Sequence, residues 1–488
     1  GNANTGLGYD ALRNNTTAAN NTAVGMQCME DNTTGADNTS VGHLALANNT
    51  TASNNTAVGK AALQANTTGS PNIAVGKAAL YTNTTGGENT AIGYESLYTN
   101  NGANNVALGY KALRANTTGS GNTGIGRDAL LANTTATSNT AVGHNSLTST
   151  TGGSNNTAVG NFAAGSNTTG NTNTAIGGDV LASQTTGSQN TALGYKAMYA
   201  HTTGIQCVGI GVSALQANTT ISELTAVGAH SLQANTTGTQ NVAYGAWSLR
   251  FNTTGDKNTA AGYQALAGNT TSDENTAFGM QAMNKNTTGE HNSALGSNAL
   301  GNTTTGSRNV AAGRLAMHAN TTGHGNVAVG LCALNANTDQ NDSVAIGHCA
   351  LDANTCPNMT AVGAYALQFN TTGANNVAVG MGSLDANTEG DNNVAVGGQA
   401  LGANTTATGN TAVGYQSLDA NTTGFNNTAV GNCSGSGVTT GDCNTYVGAF
   451  AAYTASTGNN NTAVGDQALS LMTTASDNTA VGRSALKI

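Results

Sequence analysis

A repeat of 17 residues, built on the motif N-T-A-V-G, runs through the whole chain. The glycine that closes the motif falls at positions 8, 25, 42, 59 and onward to 482, in steps of 17 with two steps of 16. We number the consensus N-T-A-V-G-x-x-A-L-x-A-N-T-T-G-x-x as slots 1 to 17, and all 29 copies carry glycine in slot 5. A unit this short cannot enclose a core by itself, so neighbouring copies must complete it.

Charged residues are confined to certain slots of the repeat. All 37 of them fall in slots 6, 7, 10, 11, 14, 16 and 17, and the other ten slots carry none. Because an unpaired buried charge costs more than one short coil can recover, the charge-free slots indicate an interior. The segregation excludes the disordered chain that 8% charged residues and 66 glycines would otherwise indicate.

The repeat predicts an all-β fold, a parallel β-solenoid that forms one domain over residues 1–488. Slots 1 to 5 have the pattern of a short strand, and we expect slots 2 and 4 to point inward, together with the leucine of slot 9. Stacking 29 coils at about 4.8 Å would give a rod of about 140 Å. An α-solenoid is disfavoured, since it needs longer units and fewer Asn, Thr, Gly and β-branched residues.

Asparagine fills slot 1 in 25 of 29 copies and is also frequent in slot 12. Apolar residues replace it in a few copies, which indicates an enclosed position. We expect the side chains to stack from coil to coil as amide ladders. The alternative is that slot 12 forms N-x-T glycosylation acceptors, for which Asn66, Asn116 and Asn235 are the candidates.

Slot 3 is alanine in 24 copies, and slot 8 is also small. Two interpretations remain open. Both slots belong to a flat outer stripe that lets a second chain approach, in a bundled or trimeric assembly, or both lie in cramped interior corners of the coil.

The seven cysteines are too scattered for a metal site. Cys433 and Cys443 share one coil and form the preferred candidate disulfide, and Cys349 and Cys356 form a similar pair. Cys332 lies one coil before Cys349 in the same slot, within disulfide range if coils stack at about 4.8 Å. The two remaining cysteines are expected to be free, packed thiols. They are Cys28 and Cys207.

Aromatic residues concentrate in slots 6 and 7, which we expect to be exposed. Tyr94 and Tyr110 lie in slot 6, and Trp247 lies in slot 7. They are candidate surface contacts for sugar rings, although scattered surface aromatics beside an interface are a common alternative.

Several classes of function find no support in the sequence. No nucleophile, base or carboxylate constellation recurs, so we expect neither an enzyme nor a cofactor or metal site. The 14 basic and 23 acidic residues show no basic cluster along the chain, which argues against nucleic acid. No apolar run approaches the roughly 18 residues that a membrane-spanning helix needs.

The segment Asp342-Ser343-Val344-Ala345-Ile346-Gly347 and the general N-[TV]-A-[VIL]-G core carry a resemblance. They resemble the S-V-A-I-G repeats in head domains of YadA-type trimeric autotransporter adhesins, and similar repeats in tail-fibre-like proteins. The resemblance implies a left-handed parallel β-roll, often trimeric, that projects from a surface or adheres to one. The present coil is longer, and its second half, A-N-T-T-G, differs from that pattern.

The sequence therefore predicts an extracellular or cell-surface fibre, structural or adhesive, with carbohydrate or a cell surface as a further candidate partner. Gly1 lies in slot 15 and Ile488 in slot 11, so neither end carries a polar cap, and we expect either a segment of a longer fibre or copies that associate end to end. Lateral association as a bundle or trimer is the other expected form of self-association. One alternative is ice binding through the threonines of slots 13 and 14. A segment similar to a phage tail fibre is another.

Overall fold

The computed structural model describes residues 2–487, and the expectation placed on Gly1 and Ile488 lies outside them. The chain divides into two compact units, Gly1–Gln240 and Asn241–Ile488. Each unit is built from short parallel strands, one per coil, and no helix occurs in the described range. The predicted all-β solenoid is therefore confirmed within each unit.

The fourteen strands of the first unit are β1 Thr5–Leu7, β2 Thr22–Val24, β3 Thr39–Val41, β4 Thr56–Val58, β5 Asn72–Val75, β6 Asn89–Ile92, β7 Val106–Leu108, β8 Thr123–Ile125, β9 Thr140–Val142, β10 Thr157–Val159, β11 Thr174–Ile176, β12 Thr191–Leu193, β13 Val208–Ile210 and β14 Thr225–Val227. The fifteen strands described in the second unit are β15 Val242–Tyr244, β16 Thr259–Ala261, β17 Thr276–Phe278, β18 Ser293–Leu295, β19 Val310–Ala312, β20 Val327–Val329, β21 Val344–Ile346, β22 Thr360–Val362, β23 Val377–Val379, β24 Val394–Val396, β25 Thr411–Val413, β26 Thr428–Val430, β27 Thr445–Val447, β28 Thr462–Val464 and β29 Thr479–Val481.

Successive strands within a unit pair in parallel and in register, slot on slot. In β4 and β5, for example, Ala57 lies opposite Ala74 and Val58 opposite Val75. The same register joins β15 to β16 and continues to β29. Equivalent residues of neighbouring coils are therefore direct spatial neighbours, which is what the period of 17 predicted.

The expected orientation of the strand residues is wrong. Slots 1 and 3 point inward, whereas slots 2 and 4 point outward. In β4, Ala57 is fully buried, while Thr56 and Val58 on either side of it are partly exposed. The reason is space, since a Cβ built on Gly124 in slot 3 would already lie 3.3 Å from the side chain of Leu113. Slot 3 therefore takes a small residue in almost every coil, and the β-branched residues occupy the outer face.

The core of each coil consists of small residues packed around one leucine. In coil 55–71, Ala57 of slot 3, Ala62 of slot 8 and Leu63 of slot 9 are each 0% exposed. The prediction for the leucine of slot 9 is confirmed. Of the two interpretations of slots 3 and 8, the interior corner is the correct one.

The corners of the coil rely on left-handed backbone at ordinary residues. In coil 55–71, Ala61 in slot 7 has φ 58° and Leu63 in slot 9 has φ 54°, and Asn54 in slot 17 of the preceding coil has φ 60°. Each such residue costs about 1–2 kcal/mol. Each also donates its N–H to an adjacent coil, as Leu63 does to the carbonyl of Ala79 at 2.8 Å. A hydrogen bond contributes about 1 kcal/mol net, so stacking offsets much of this strain.

Glycine in slot 5 is required by two independent constraints. Gly59 has φ 131°, a conformation that side chains rarely adopt, and a Cβ there would lie 2.7 Å from the carbonyl oxygen of Gly76 in the next coil. Slot 5 must be glycine because its φ is positive and because its Cα packs against the slot 5 backbone of the next coil.

Both predicted amide ladders are present. In slot 12, Asn66 donates from Nδ2 to Asn49 Oδ1 at 3.1 Å and to the carbonyl of Gly69 at 3.0 Å. In slot 1, the backbone N–H of Asn38 donates to Asn21 Oδ1 at 3.0 Å. These buried amides satisfy the backbone at the two corners of the coil, which is why asparagine recurs there.

One 16-residue coil, 89–104, shows how a missing residue is replaced. Elsewhere the N–H of a slot 13 threonine donates to the slot 13 carbonyl of the next coil, as Thr67 does to Thr84 at 3.0 Å. In the short coil, Asn101 Oδ1 accepts from the N–H of Thr84 at 2.8 Å and from its hydroxyl at 2.9 Å. A side-chain carbonyl thus takes the place of the absent main-chain one.

An exchange of large and small residues occurs between two coils of the second unit. Gly435 occupies slot 9, where leucine is usual, and Tyr446 occupies slot 3 of the next coil, where alanine is usual. Tyr446 is fully buried, and a Cβ on Gly435 would lie 2.8 Å from its ring. The tyrosine ring therefore fills the volume that the missing leucine leaves.

We expect Tyr446→Ala to destabilise the surrounding coils by about 3–5 kcal/mol, because it opens a cavity beside Gly435. Gly435→Leu alone should also destabilise, by steric overlap with the ring. The double variant restores the consensus pair and should recover most of the stability in hydrogen exchange across residues 427–460. If the losses of stability of the two single variants simply add in the double variant, Tyr446 does not compensate for Gly435.

Candidate interaction surfaces

The outward side chains of slots 2 and 4, which we call the strand face, form an uncharged surface that passes from coil to coil within each unit. Slot 4 is almost always Val, Ile or Leu, and its members are substantially exposed. Ile92 and Ile176 are each 40% exposed, and Val329 is 38% exposed. The sequence pattern predicted these residues in the core and so gave no indication of this surface.

The strand face is uneven in one region of the second unit. Phe278 is 43% exposed and Leu295 is 61% exposed, whereas Ala312 follows them in the same slot. The change in size leaves a shallow apolar pocket of about 300 Å³ between β17 and β19. Slot 4 also changes in size between Tyr244, which is 49% exposed, and Ala261, whereas the other coils carry mostly Val, Ile or Leu there.

The threonines of slots 13 and 14 differ in their surroundings. The hydroxyl of Thr67 in slot 13 donates to the carbonyl of Thr84 in the next coil at 3.0 Å. Thr68 in slot 14 is exposed. Slot 14 is therefore the one that presents a column of threonine side chains to solvent.

The candidate aromatic contacts stack on neighbouring side chains. The ring centroids of Tyr94 and Tyr110 lie 5.3 Å apart, and Lys77 and Arg127 lie over them at 5.5 Å and 5.6 Å. Protein groups thus occupy ring faces of both tyrosines.

Trp247 has the same kind of environment in the second unit. Its ring stacks on Tyr263 at 5.8 Å, and the Arg250 guanidinium lies 5.2 Å from its centroid. Tyr94 and Tyr110 share slot 6 in adjacent coils, which could have indicated their stacking, whereas Trp247 lies in slot 7 and Tyr263 in slot 6.

Basic side chains lie in the same slot as Tyr94 and Tyr110 in the neighbouring coils. Lys60, Lys77 and Arg127 all lie in slot 6, as do Tyr94 and Tyr110 between them. They come from five consecutive coils, so residues 16 or 17 positions apart become neighbours. No basic cluster is visible along the sequence, because these residues become neighbours only when the coils stack.

All seven cysteines are free thiols in the structure. Cys433 and Cys443 are unbridged there, and the thiol of Cys433 lies 3.9 Å from Gln416 Oε1. The thiol of Cys349 lies beside that of Cys332 in the adjacent coil, and burial raises the pKa of Cys349.

Cys356 instead occupies the slot 15 corner, where its carbonyl accepts from Asn354 Nδ2 at 2.6 Å. Stacking therefore favours Cys332 over Cys356 as the neighbour of Cys349, and all these bridges stay predictions. Cys28 and Cys207 are buried free thiols, as expected.

The three candidate glycosylation sites are enclosed. Asn66, Asn116 and Asn235 are each 0% exposed. The Nδ2 of Asn116 donates to the carbonyl of Gly119 at 2.8 Å, and that of Asn235 to Gly238 at 2.9 Å. A glycan would need this same nitrogen, so the folded coils offer no accessible acceptor at these positions.

A buried histidine interrupts the slot 12 ladder. His201 is 0% exposed, and its Nε2 lies 2.9 Å from the carbonyl of Gly204. Asn218 Nδ2 lies 3.1 Å from its Nδ1, so a neutral ring with the proton on Nε2 fits the ladder. Burial lowers the pKa of His201 below its ordinary value.

We expect the stability of the coils around His201 to depend on pH. Because the folded pKa is lowered, the unfolded chain takes up the proton first as pH falls. The contribution is full above about pH 6.5 and is lost as pH falls below it. Hydrogen exchange of residues 190–223 between pH 8 and pH 5 measures this loss.

His201→Asn restores the consensus ladder and should remove this pH dependence. His43→Asn, at a partly exposed histidine, is the matched control and should retain it. Equal pH dependence in the wild type and in His201→Asn would refute the assignment.

Within residues 2–487, no group of three His, Cys, Asp or Glu side chains is placed to share a metal ion. That range also holds no helix with the length and apolarity to cross a membrane. No known protein family matches the chain, and no curated protein matches it either.

Proposed function

We propose that the chain is a structural and adhesive subunit of an extracellular or cell-surface fibre, and that copies associate laterally through the strand face. The repetitive solenoid fold supports a fibre-like protein. The extracellular setting rests on the resemblance of the repeat to adhesin-head and tail-fibre repeats. The proposal assigns no catalytic role to the chain.

The observation that carries the proposal is the exposure of slot 4 in coil after coil. A valine or isoleucine with two fifths of its surface exposed leaves roughly 50 Å² of apolar area in water. Six of the fourteen slot 4 residues of the first unit reach about this exposure and the other eight are partly exposed, so the stripe exposes at most roughly 700 Å². This is at the upper end of what monomers leave uncovered. This area approaches the roughly 800 Å² that each partner buries in a standard interface.

The chemistry of the stripe suits another copy of the same chain. Slots 2 and 4 carry no charge, and they combine β-branched Thr, Val and Ile. Such residues interdigitate when two sheets pack face to face at about 10 Å. Because every coil repeats the pattern, contact in one coil extends to the next.

Charges placed on the strand face should prevent association. We expect Ile125→Glu combined with Ile176→Glu to convert oligomers to monomers in analytical ultracentrifugation, since each carboxylate would be desolvated in the interface. Both side chains are exposed, at 37% and 40%, so the coils should stay folded.

The matched control combines Thr135→Glu with Thr169→Glu in exposed slot 14, where Glu389 occurs naturally. It adds the same charge to the same unit and should leave association intact. A wild-type chain that stays monomeric at high concentration would reject lateral association.

Ice binding is a second candidate, favoured by the exposed threonine column of slot 14. Regularly spaced threonines on a rigid face can order water, and the coils supply them at about 4.8 Å. We then expect thermal hysteresis from the wild-type chain and a reduced effect from Thr135→Glu with Thr169→Glu. Hysteresis equal to that of a protein with no ice-binding activity would exclude this function.

A further inference from the structure

A line of basic and aromatic side chains runs along slot 6 of the first unit. It begins at partly exposed His43 and ends at exposed His144. Between them, in consecutive coils, lie Lys60, Lys77, Tyr94, Tyr110 and Arg127. We call these seven residues the slot 6 strip, and its five central members are all exposed.

Cation–π contacts join the centre of the strip. Lys77 Nζ lies 5.5 Å from the ring centroid of Tyr94, which stacks on Tyr110 at 5.3 Å. On the other side, Arg127 lies 5.6 Å from the Tyr110 centroid, and Lys111 Nζ of slot 7 lies 4.9 Å from it. These contacts hold the cations in a line along the stacking direction.

The strip is locally positive in an acidic chain. Residues 55–138 contain five basic and three acidic side chains, whereas the whole chain has 14 basic and 23 acidic. Glu95 pairs with Arg114 at 2.7 Å, and Asp128 pairs with Arg127 at 3.1 Å. The third acid, Glu88, lies in slot 17, outside the strip. Lys60 and Lys77 form no ion pair within the described residues, so their charges are available to a ligand.

We propose that the slot 6 strip binds a linear anionic polysaccharide that carries a carboxylate or sulfate on most of its rings. Successive coils present side chains about every 4.8 Å, close to the advance of one pyranose ring in an extended chain. A ligand aligned with the solenoid then meets one basic or phenolic group per ring. The hydroxyl of Tyr110 offers a hydrogen bond where no cation stands, whereas the hydroxyl of Tyr94 is already engaged by Glu95.

Single-stranded nucleic acid fits the same line less well. Its sequence-independent binding relies on aromatic faces that stack on bases, and here Tyr94 and Tyr110 stack on each other. The chain also carries a net charge of −9, which repels a polyanion of high charge density. A polysaccharide needs only the charges and the ring edges. The inference extends the adhesive part of the proposed function and does not depend on association through the strand face.

The test is isothermal titration of the full chain with an octamer of galacturonic acid at about 50 mM salt. We expect binding that weakens at 0.5 M salt, because screening shortens the reach of each cation. Lys60→Gln, Lys77→Gln and Arg127→Gln together should weaken binding about tenfold. The matched control combines Lys196→Gln, Lys285→Gln and Arg483→Gln, which removes the same charge elsewhere and should change affinity less than twofold.

Three outcomes would overturn the inference: no binding of the octamer, equal loss in the strip variant and its control, or tighter binding of octathymidylate than of the octamer. None of these outcomes bears on lateral association, which ultracentrifugation measures separately. Circular dichroism of both triple variants checks that the fold is unchanged. Their substitutions lie at exposed or partly exposed positions in slots that vary freely between coils.

Discussion

The structure depends on the exact superposition of equivalent residues in successive coils. Each coil donates and accepts hydrogen bonds along the stacking direction, and the amides of slots 1 and 12 repeat those bonds in side chains. The left-handed corners at slots 7, 9 and 17 would be costly in an isolated coil. They persist because each directs an N–H toward a neighbouring coil, and the hydrogen bonds made by stacking offset the local strain.

This dependence explains why the core is so small. The stacked backbones and the two asparagine ladders occupy much of the interior, which leaves room for two small residues and one leucine per coil. Where the pattern changes, a neighbouring residue compensates, as Tyr446 does for Gly435 and Asn101 does for a missing threonine. Large apolar residues are then placed outside, where they form the strand face.

Much of the fold could be predicted from sequence, since the period, the parallel register, the buried leucine of slot 9 and the amide ladders all follow from the slot pattern. The orientation of the strand could not. The alternation of side chains along a strand places slots 2 and 4 on the same face, but it does not say whether that face is the inner or the outer one. Their apolar residues suggested the inner face, which is wrong. The sequence predicted the contacts of the candidate site residues only in part. The partners of Tyr94, Asn66 and Cys349 lie in adjacent coils, which the order of residues along the chain does not show.

The sequence is sufficient to show that this chain consists of 29 similar coils that stack on their neighbours within each unit, because a period of 17 with charge-free slots requires adjacent coils to bury the apolar residues. Which side chains face water depends on the tertiary structure. The width of the coil interior excludes valine from the inner face, and so creates an exposed apolar stripe. Stacking also brings Lys60, Lys77 and Arg127 into one line, although they are far apart along the chain.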